Sequence, residues 1–190
     1  DNYCLWDKIV HSGATGSYGQ RVDKFGTAIL LTSQGIPFIH AGDEMLRTKV
    51  YNGDWTYAHN SYNAPDNYNM IRWNWKDTNS AVVQYYKDLI ALRKAHPAFR
   101  LTTWDEINAN VTTTTLTGGQ VIINQINGAA VGDTWSKVIS IYNSGSNYTY
   151  TLPSGQWYIA VEKENANAGG TPVSGSVVCE GTAVTVPKDA

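Results

Sequence analysis

The sequence predicts an α/β part followed by an all-β part: the closing segment of a (β/α)8 barrel over residues 1–101, then an antiparallel β-sandwich domain over residues 102–190. Three observations lead there. Apolar residues recur at helical spacing in two stretches, on either side of a short apolar run opened by glycine and proline. A polar and aromatic loop of unusual length separates that run from the second helical stretch. After about Leu101 the composition changes to short β-rich runs divided by Gly, Asn, Ser and Pro.

The elements follow in order. Gly13 to Gly19 reads as a glycine and serine loop, and Val22, Phe25, Ala28, Ile29 and Thr32 then place one apolar stripe on a helix from about Gln20 to Ser33. Gly35 stops it. Ile36, Phe38 and Ile39 predict a buried strand over Ile36–His40, which emerges into Gly42, Asp43 and Glu44, where backbone and carboxylate can both reach a ligand. The loop from about Ala41 to Thr78 is rich in Asn, Tyr and Trp, and so many large aromatics argue against disorder. A second helix is expected from Ser80 to Ala95, with Asn79 or Ser80 as N-cap and Val82, Tyr85, Tyr86, Leu89 and Leu92 on its inner face. His96-Pro97 ends it, because a residue before proline avoids the helical region. Helix, strand, long loop and helix make up the closing segment of such a barrel, whose function gathers on the loops after its strands.

The β half is expected to carry strands near 121–124, 137–142, 148–152, 156–161 and 183–186, with a glycine-rich loop from Asn165 to Gly175. No internal repeat is detectable.

Composition narrows the function. The 190 residues are 42% hydrophobic, enough for a core, and 14 basic residues stand against 16 acidic ones. No basic stripe is present to hold a phosphate backbone, so nucleic acid is excluded as a partner. Seven Trp and twelve Tyr among many Asn and Thr suit a surface that stacks on pyranose rings, although aromatics also fill cores. No run is long enough for a membrane span, and no signal peptide opens the chain. Cys4 and Cys179 lie far apart in sequence, which leaves a disulfide and two buried thiols both open. His11, His40, His59 and His96 lack metal-ligand spacing, so zinc is not expected, and calcium on loop carboxylates and carbonyls is left open without a motif.

Four motifs carry a resemblance. DNYCLWDK (1–8), TSQGIPFIHAGDEMLRTK (32–49), HNSYNAPDNYN (59–69) and LIALRKAHPAFR (89–100) follow one another in the order seen in the last quarter of the catalytic barrel of the α-amylase family of glycoside hydrolases. They resemble type I pullulanases most. The likeness covers roughly the first hundred residues and implies a C-terminal antiparallel β-domain after them. Because Asp1 and Asn2 match the interior of the family's HDN motif, the chain is expected to be the C-terminal portion of a longer enzyme.

What the resemblance implies can be placed by residue. The family uses a retaining mechanism, in which two carboxyl groups roughly 5 Å apart attack and protonate the glycosidic bond. Both are expected upstream of this sequence. Asp1 matches the third carboxylate, the transition-state stabiliser, with Asn2 beside it as a substrate-binding candidate and Trp6 either lining the cleft rim or packing below it. Asn60, Tyr62, Asn63 and Asp66 are the candidate sugar-binding groups, Asp66 matching a loop carboxylate that binds substrate in related enzymes. Tyr62, Tyr68 or Trp73 offers a stacking face. Asp43 and Glu44 point apart on an extended segment and so cannot bracket one bond; Glu44 and Arg47 are assigned supporting roles, the guanidinium clamping that carboxylate bidentately.

The expectation is therefore part of a secreted, cell-surface or periplasmic debranching enzyme acting on the α-1,6 links of pullulan, amylopectin or glycogen. The fragment alone would be inactive. Two alternatives stand beside it: an isoamylase or amylopullulanase-like glucan hydrolase, and a non-catalytic carbohydrate-binding β-sandwich module.

Overall fold

The computed structural model describes residues 2–162, 165–166, 177–179 and 183–186. Asp1 lies outside the described residues, as does most of the expected loop from Asn165 to Gly175. The chain divides into two compact units. One comprises residues 1–26 and 38–87, and the other residues 27–37 and 88–190.

The first unit opens with α1 (Leu5–His11), which the sequence reading missed, and with the start of α2 (Gly16–Thr32). Of the stripe Val22, Phe25, Ala28, Ile29 and Thr32 expected to face inward, Thr32 is buried and the other four are only half-buried. The most buried positions of α2 are instead Asp23, Thr27 and Leu31, one turn apart. Burial of Asp23 is made tolerable by a hydrogen bond donated by the Tyr86 hydroxyl at 3.1 Å, so a polar contact and not the apolar stripe sets the helix rotation. Leu46, Val82 and Tyr86 form a buried cluster, with Trp6 and Ile39 packed against it.

The predicted strand at Ile36–His40 is absent from the described structure. Ile36 and Phe38 are 97% and 87% exposed, and the segment carries no ladder pairing. A strand needs a ladder of partners for its N–H and C=O groups and cover on both faces, and among the described residues no strand pairs with this segment and only Ile39 is packed against the cluster.

The long loop after it is ordered by short helical turns at Asp43–Met45, α3 (Asp66–Asn69) and α4 (Trp75–Thr78). Then α5 runs from Ser80 to Ala95, at the predicted bounds. Val82, Tyr85, Tyr86, Leu89 and Leu92 are each no more than 3% exposed, as the periodicity requires. Asn79 opens the helix through its backbone carbonyl, which accepts from Val82 and Val83, while its side-chain amide donates to Met45 O at 2.9 Å.

The second unit is organised around the end of α5. Arg93, buried, donates to the carbonyls of Leu31, Ser33 and Gly35 at 2.9, 2.7 and 2.6 Å. Gln34 donates to Ala98 O and accepts from Leu101 N–H, at 2.7 and 3.0 Å. The TSQG motif is therefore a junction, and Gly35 turns the chain out of it at φ +92°, a conformation that glycine adopts without cost. Beyond it, α6 (Trp104–Asn110) is opened by a capping box between Thr103 and Glu106.

The strands β1 (Val111–Leu116), β2 (Val121–Ile126) and β3 (Val138–Asn143) form an antiparallel sheet in that order, with Thr114 opposite Ile123 and Ile123 opposite Ile141. Val121, Ile123, Ile126, Val138 and Tyr142 supply its buried residues. The three remaining expected runs appear as β4 (Tyr148–Thr151), as β5 (Gln156–Tyr158) and β6 (Val161–Glu162), into which the expected strand at 156–161 is divided, and as β9 (Ala183–Val186), with β7 (Asn165–Ala166) and β8 (Val177–Cys179) as partners of β6 and β5. Buried His96 bonds Asp133 at 2.8 Å and stacks on Trp135, with ring centroids 3.5 Å apart, which pins the end of α5 to the β2–β3 connection. Cys4 is a buried free thiol, its pKa pushed up to about 11 by desolvation and then by the charge of Asp7.

Leu89 has no exposed surface, so Leu89→Ala should cost about 2–5 kcal/mol in a urea-unfolding experiment. A loss below about 0.5 kcal/mol would show that this face of α5 is not core.

Candidate functional site

All the expected site residues that the structure describes belong to the first unit. Their scaffold is the LRTK segment and the buried carboxylate of Asp7, which is 1% exposed. Thr48 Oγ1 donates to Asp7 Oδ1 at 2.5 Å, and the Lys49 N–H donates to Asp7 Oδ2 at 2.8 Å. The Lys49 ammonium reaches on to the carbonyl of Asn2 at 2.8 Å. Thus a carboxylate in the first turn of α1 holds the segment whose lysine holds the residue after Asp1.

Arg47 is buried and serves the other side. Its guanidinium donates to Ala41 O and His40 Nε2, both at 3.1 Å, and to Asn69 O at 2.5 Å. The expected bidentate clamp on Glu44 is not formed. Glu44 Oε2 instead accepts from the Gly42 N–H at 3.0 Å, because the 3-10 turn at Asp43–Met45 folds the glutamate back over its own loop. Gly42 sits at φ +98°, and a Cβ there would lie 2.7 Å from Arg47 Cδ. Only glycine fits, for both reasons.

The substrate-binding candidates separate by exposure. Asn2, Asn60, Tyr62, Asn63 and Asp66 are all exposed, Tyr62 at 76%. Their loop is held from beneath by Asn69, whose side-chain amide donates to Ser61 O at 2.7 Å. Trp6, left between the cleft rim and a place below it, is partly buried and packs against Leu46, Val82 and Tyr86. Tyr68 is also committed. It is buried edge-on against Tyr57 and Tyr51, with centroids at 4.9 and 5.9 Å, and its hydroxyl donates to Asp54 Oδ2 at 2.5 Å. Tyr62 and Trp73, the latter 67% exposed, remain as open faces.

One contact joins the N-terminal segment to the candidate sugar loop. Tyr3 lies 6.0 Å from His59, centroid to centroid, which joins the chain next to Asn2 with the chain next to Asn60. His11 and Trp55 complete this ring cluster. The sequence reading did not single out Tyr3, Trp55 or His59, since a pairing across more than fifty residues has no local signature.

Two buried carboxylates lie behind the site. Burial pushes the Asp23 carboxyl up to about 7, against the Tyr86 hydrogen bond, and the charge of Asp43 adds to the rise. Asp43 is also raised by burial, opposed by His40 and by the backbone of Leu5. Among the described residues no three His, Cys, Asp or Glu side chains are grouped to hold a metal ion, and no helix is long and apolar enough to cross a membrane.

An ordered polar loop of exposed amides, a carboxylate and aromatic faces is chemically suited to sugar hydroxyls and rings. No protein-family model matches the chain. The chain is 33% identical over 157 residues to a pullulanase of Bacillus subtilis (strain 168), a match that takes in 81% of this chain and 21% of the relative. It is 31% identical over 180 residues to an isoamylase of Pseudomonas amyloderamosa, covering 86% of this chain and 22% of the relative. Among solved structures, the pullulanase from Bacillus acidopullulyticus superposes with a TM-score of 0.83 at 34% identity, over 100% of this chain and 22% of that one. The pullulanase of Anoxybacillus sp. LM18-11 complexed with maltotriose gives 0.76 at 32% identity, over 99% and 24%. The chain is thus a homologue of pullulanases and isoamylases. It spans about a fifth of the length of the relatives it matches.

Asp23 yields a pH prediction with a definite sign. Its folded-state pKa lies above the unfolded one, so its contribution to stability is full below about pH 4 and is lost as pH rises through about 7. Asp23→Asn, which cannot ionise, should therefore gain in Tm relative to wild type between about pH 5 and about pH 8 in thermal melts. A difference in Tm that does not change with pH would contradict the raised pKa.

Proposed function

We propose that this chain is the C-terminal portion of a pullulanase-like enzyme that hydrolyses α-1,6-glucosidic links in pullulan, amylopectin or glycogen. The observation that carries the proposal is the Tyr3–His59 ring contact, which joins the segment that holds Asn2 to the start of the loop that carries the exposed Asn60, Tyr62, Asn63 and Asp66. Support comes from the family, and from relatives whose structures hold maltotriose and maltotetraose. In this reading residues 1–101 close a (β/α)8 barrel and residues 102–190 form a β-sandwich. Ile36–His40 is then the eighth barrel strand, and barrel neighbours would supply its ladder partners and cover the exposed Ile36 and Phe38.

The reaction would retain configuration. One upstream carboxylate attacks the anomeric carbon while a second protonates the leaving 6-oxygen, and water then releases the sugar from the resulting ester. Asp1 would stabilise the cationic transition state between these steps. Asn2, Asn60, Asn63 and Asp66 would accept from and donate to sugar hydroxyls, with Tyr62 as a stacking face. Glu44 and Arg47 support the loops that carry them. The enzyme would work outside the cytoplasm, at the cell surface or in the periplasm, since its polymeric substrates do not enter cells.

The isoamylase relatives keep a second reading alive, in which the preferred substrate is amylopectin or glycogen in place of pullulan. Reducing-sugar release by the whole enzyme from pullulan and from amylopectin decides between them. Asp66→Asn in that enzyme should raise KM about 10-fold or more, as loss of a charged hydrogen-bond partner implies. The 190-residue chain alone should release no sugar; release by it would refute the placement of nucleophile and acid upstream.

A further inference from the structure

We propose that Trp55, with Tyr3, His11 and His59, forms a stacking platform for a glucosyl unit of an α-glucan chain, contiguous with Asn2 and Asn60. The inference rests on the proposed glucan substrate and adds to it a binding site and the residue that decides its strength.

Four rings come together here from three separate stretches of chain. Tyr3 stacks on His11 with centroids 5.2 Å apart and planes at 25°, and it meets Trp55 edge-on at 6.1 Å. Trp55 also contacts His11 at 5.8 Å, and His59 stands 6.0 Å from Tyr3. Such a cluster could simply be core. Its burial argues otherwise, because Tyr3 and Trp55 are only half-buried and both histidines are exposed.

The backbone that presents Trp55 is built for rigidity. Tyr51 and Asp54 exchange backbone hydrogen bonds at 2.9 and 3.4 Å across a tight turn, in which Asn52 and Gly53 take positive φ of 49° and 78°. On the two sides of Trp55, Asp54 Oδ1 accepts from the Thr56 N–H at 2.8 Å and from its hydroxyl at 2.5 Å. Asp54 Oδ2 takes the Tyr68 hydroxyl, which ties the turn to the buried tyrosines beneath. The Asp54 carboxyl is held below its usual range by these donors, Thr56 first. An exposed loop has no need of so many contacts unless it must hold a surface in place, and a ring fixed before binding spares the ordering cost that weakens flexible sites.

The chemistry of the patch selects its ligand. Indole and phenol rings offer faces to the C–H side of a pyranose, and imidazole nitrogens and the amides of Asn2 and Asn60 offer partners to its hydroxyls. A neutral sugar fits this set.

The test uses the whole enzyme with maltotriose and pullulan as probes. Trp55→Ala should weaken maltotriose binding about 10-fold by titration calorimetry and raise KM for pullulan by a similar factor, the loss falling on KM and not on kcat. Trp55→Phe should restore most of both, and the melting temperature should hold in each variant. Unchanged maltotriose affinity in Trp55→Ala, or a fall in melting temperature and kcat together, would overturn the platform and make the cluster a structural one. Absence of maltotriose binding by the wild type would overturn it too. Maltotriose binding that depends on Trp55 in a protein that hydrolyses no α-glucan would keep the platform and reject the proposed activity.

Discussion

A single buried carboxylate, Asp7, underlies the arrangement of the first unit. A charge taken out of water is tolerated only with partners, and Asp7 finds them in the Thr48 hydroxyl and the Lys49 N–H. That choice fixes the path of residues 47–49, and three further constraints follow from it. Arg47 is aimed at the carbonyls of Ala41 and Asn69, Lys49 reaches the carbonyl of Asn2, and Gly42 must remain without a side chain where Arg47 crosses it. The LRTK segment is thus a hub between α1, the turn at residues 40–42 and the end of the sugar loop.

The division of labour among polar residues follows from burial. Asp7, Arg47 and Lys49 are spent on protein partners and fix backbone, whereas Asn60, Tyr62, Asn63 and Asp66 are exposed and uncommitted in position. Between them stands the ring cluster of Tyr3, His11, Trp55 and His59, which converts a well-held backbone into a surface. A family that binds neutral sugars has little Coulomb attraction to use, so shape and preorganised hydrogen bonds must do most of the selection.

Local signals were legible in the sequence and distant ones were not. The second helix was read to the residue, because Val82, Tyr86, Leu89 and His96-Pro97 give period and stop within one element. The Thr103–Glu106 capping box was present in the sequence and overlooked, and with it α6. Rotation of α2 was misread because an Asp23–Tyr86 hydrogen bond across sixty residues outweighs a half-formed apolar stripe. Ile36–His40 has the composition of a buried strand, but pairing is a property of neighbours, and no strand pairs with it among the described residues. For the site, the motif residues Asn60, Tyr62, Asn63 and Asp66 could be named from sequence, whereas the choice between rim and interior was left open for Trp6 and Trp55 was passed over. Exposure is not written in a residue's type.

The hub is most directly tested by a double-mutant cycle on Asp7→Asn and Thr48→Val, read by urea unfolding. If Asp7 holds the LRTK segment as described, the two losses should fall short of additive by about 1–3 kcal/mol, because either change already breaks the shared contact. Additivity within about 0.5 kcal/mol would contradict the account, since the carboxylate and the hydroxyl would then act independently.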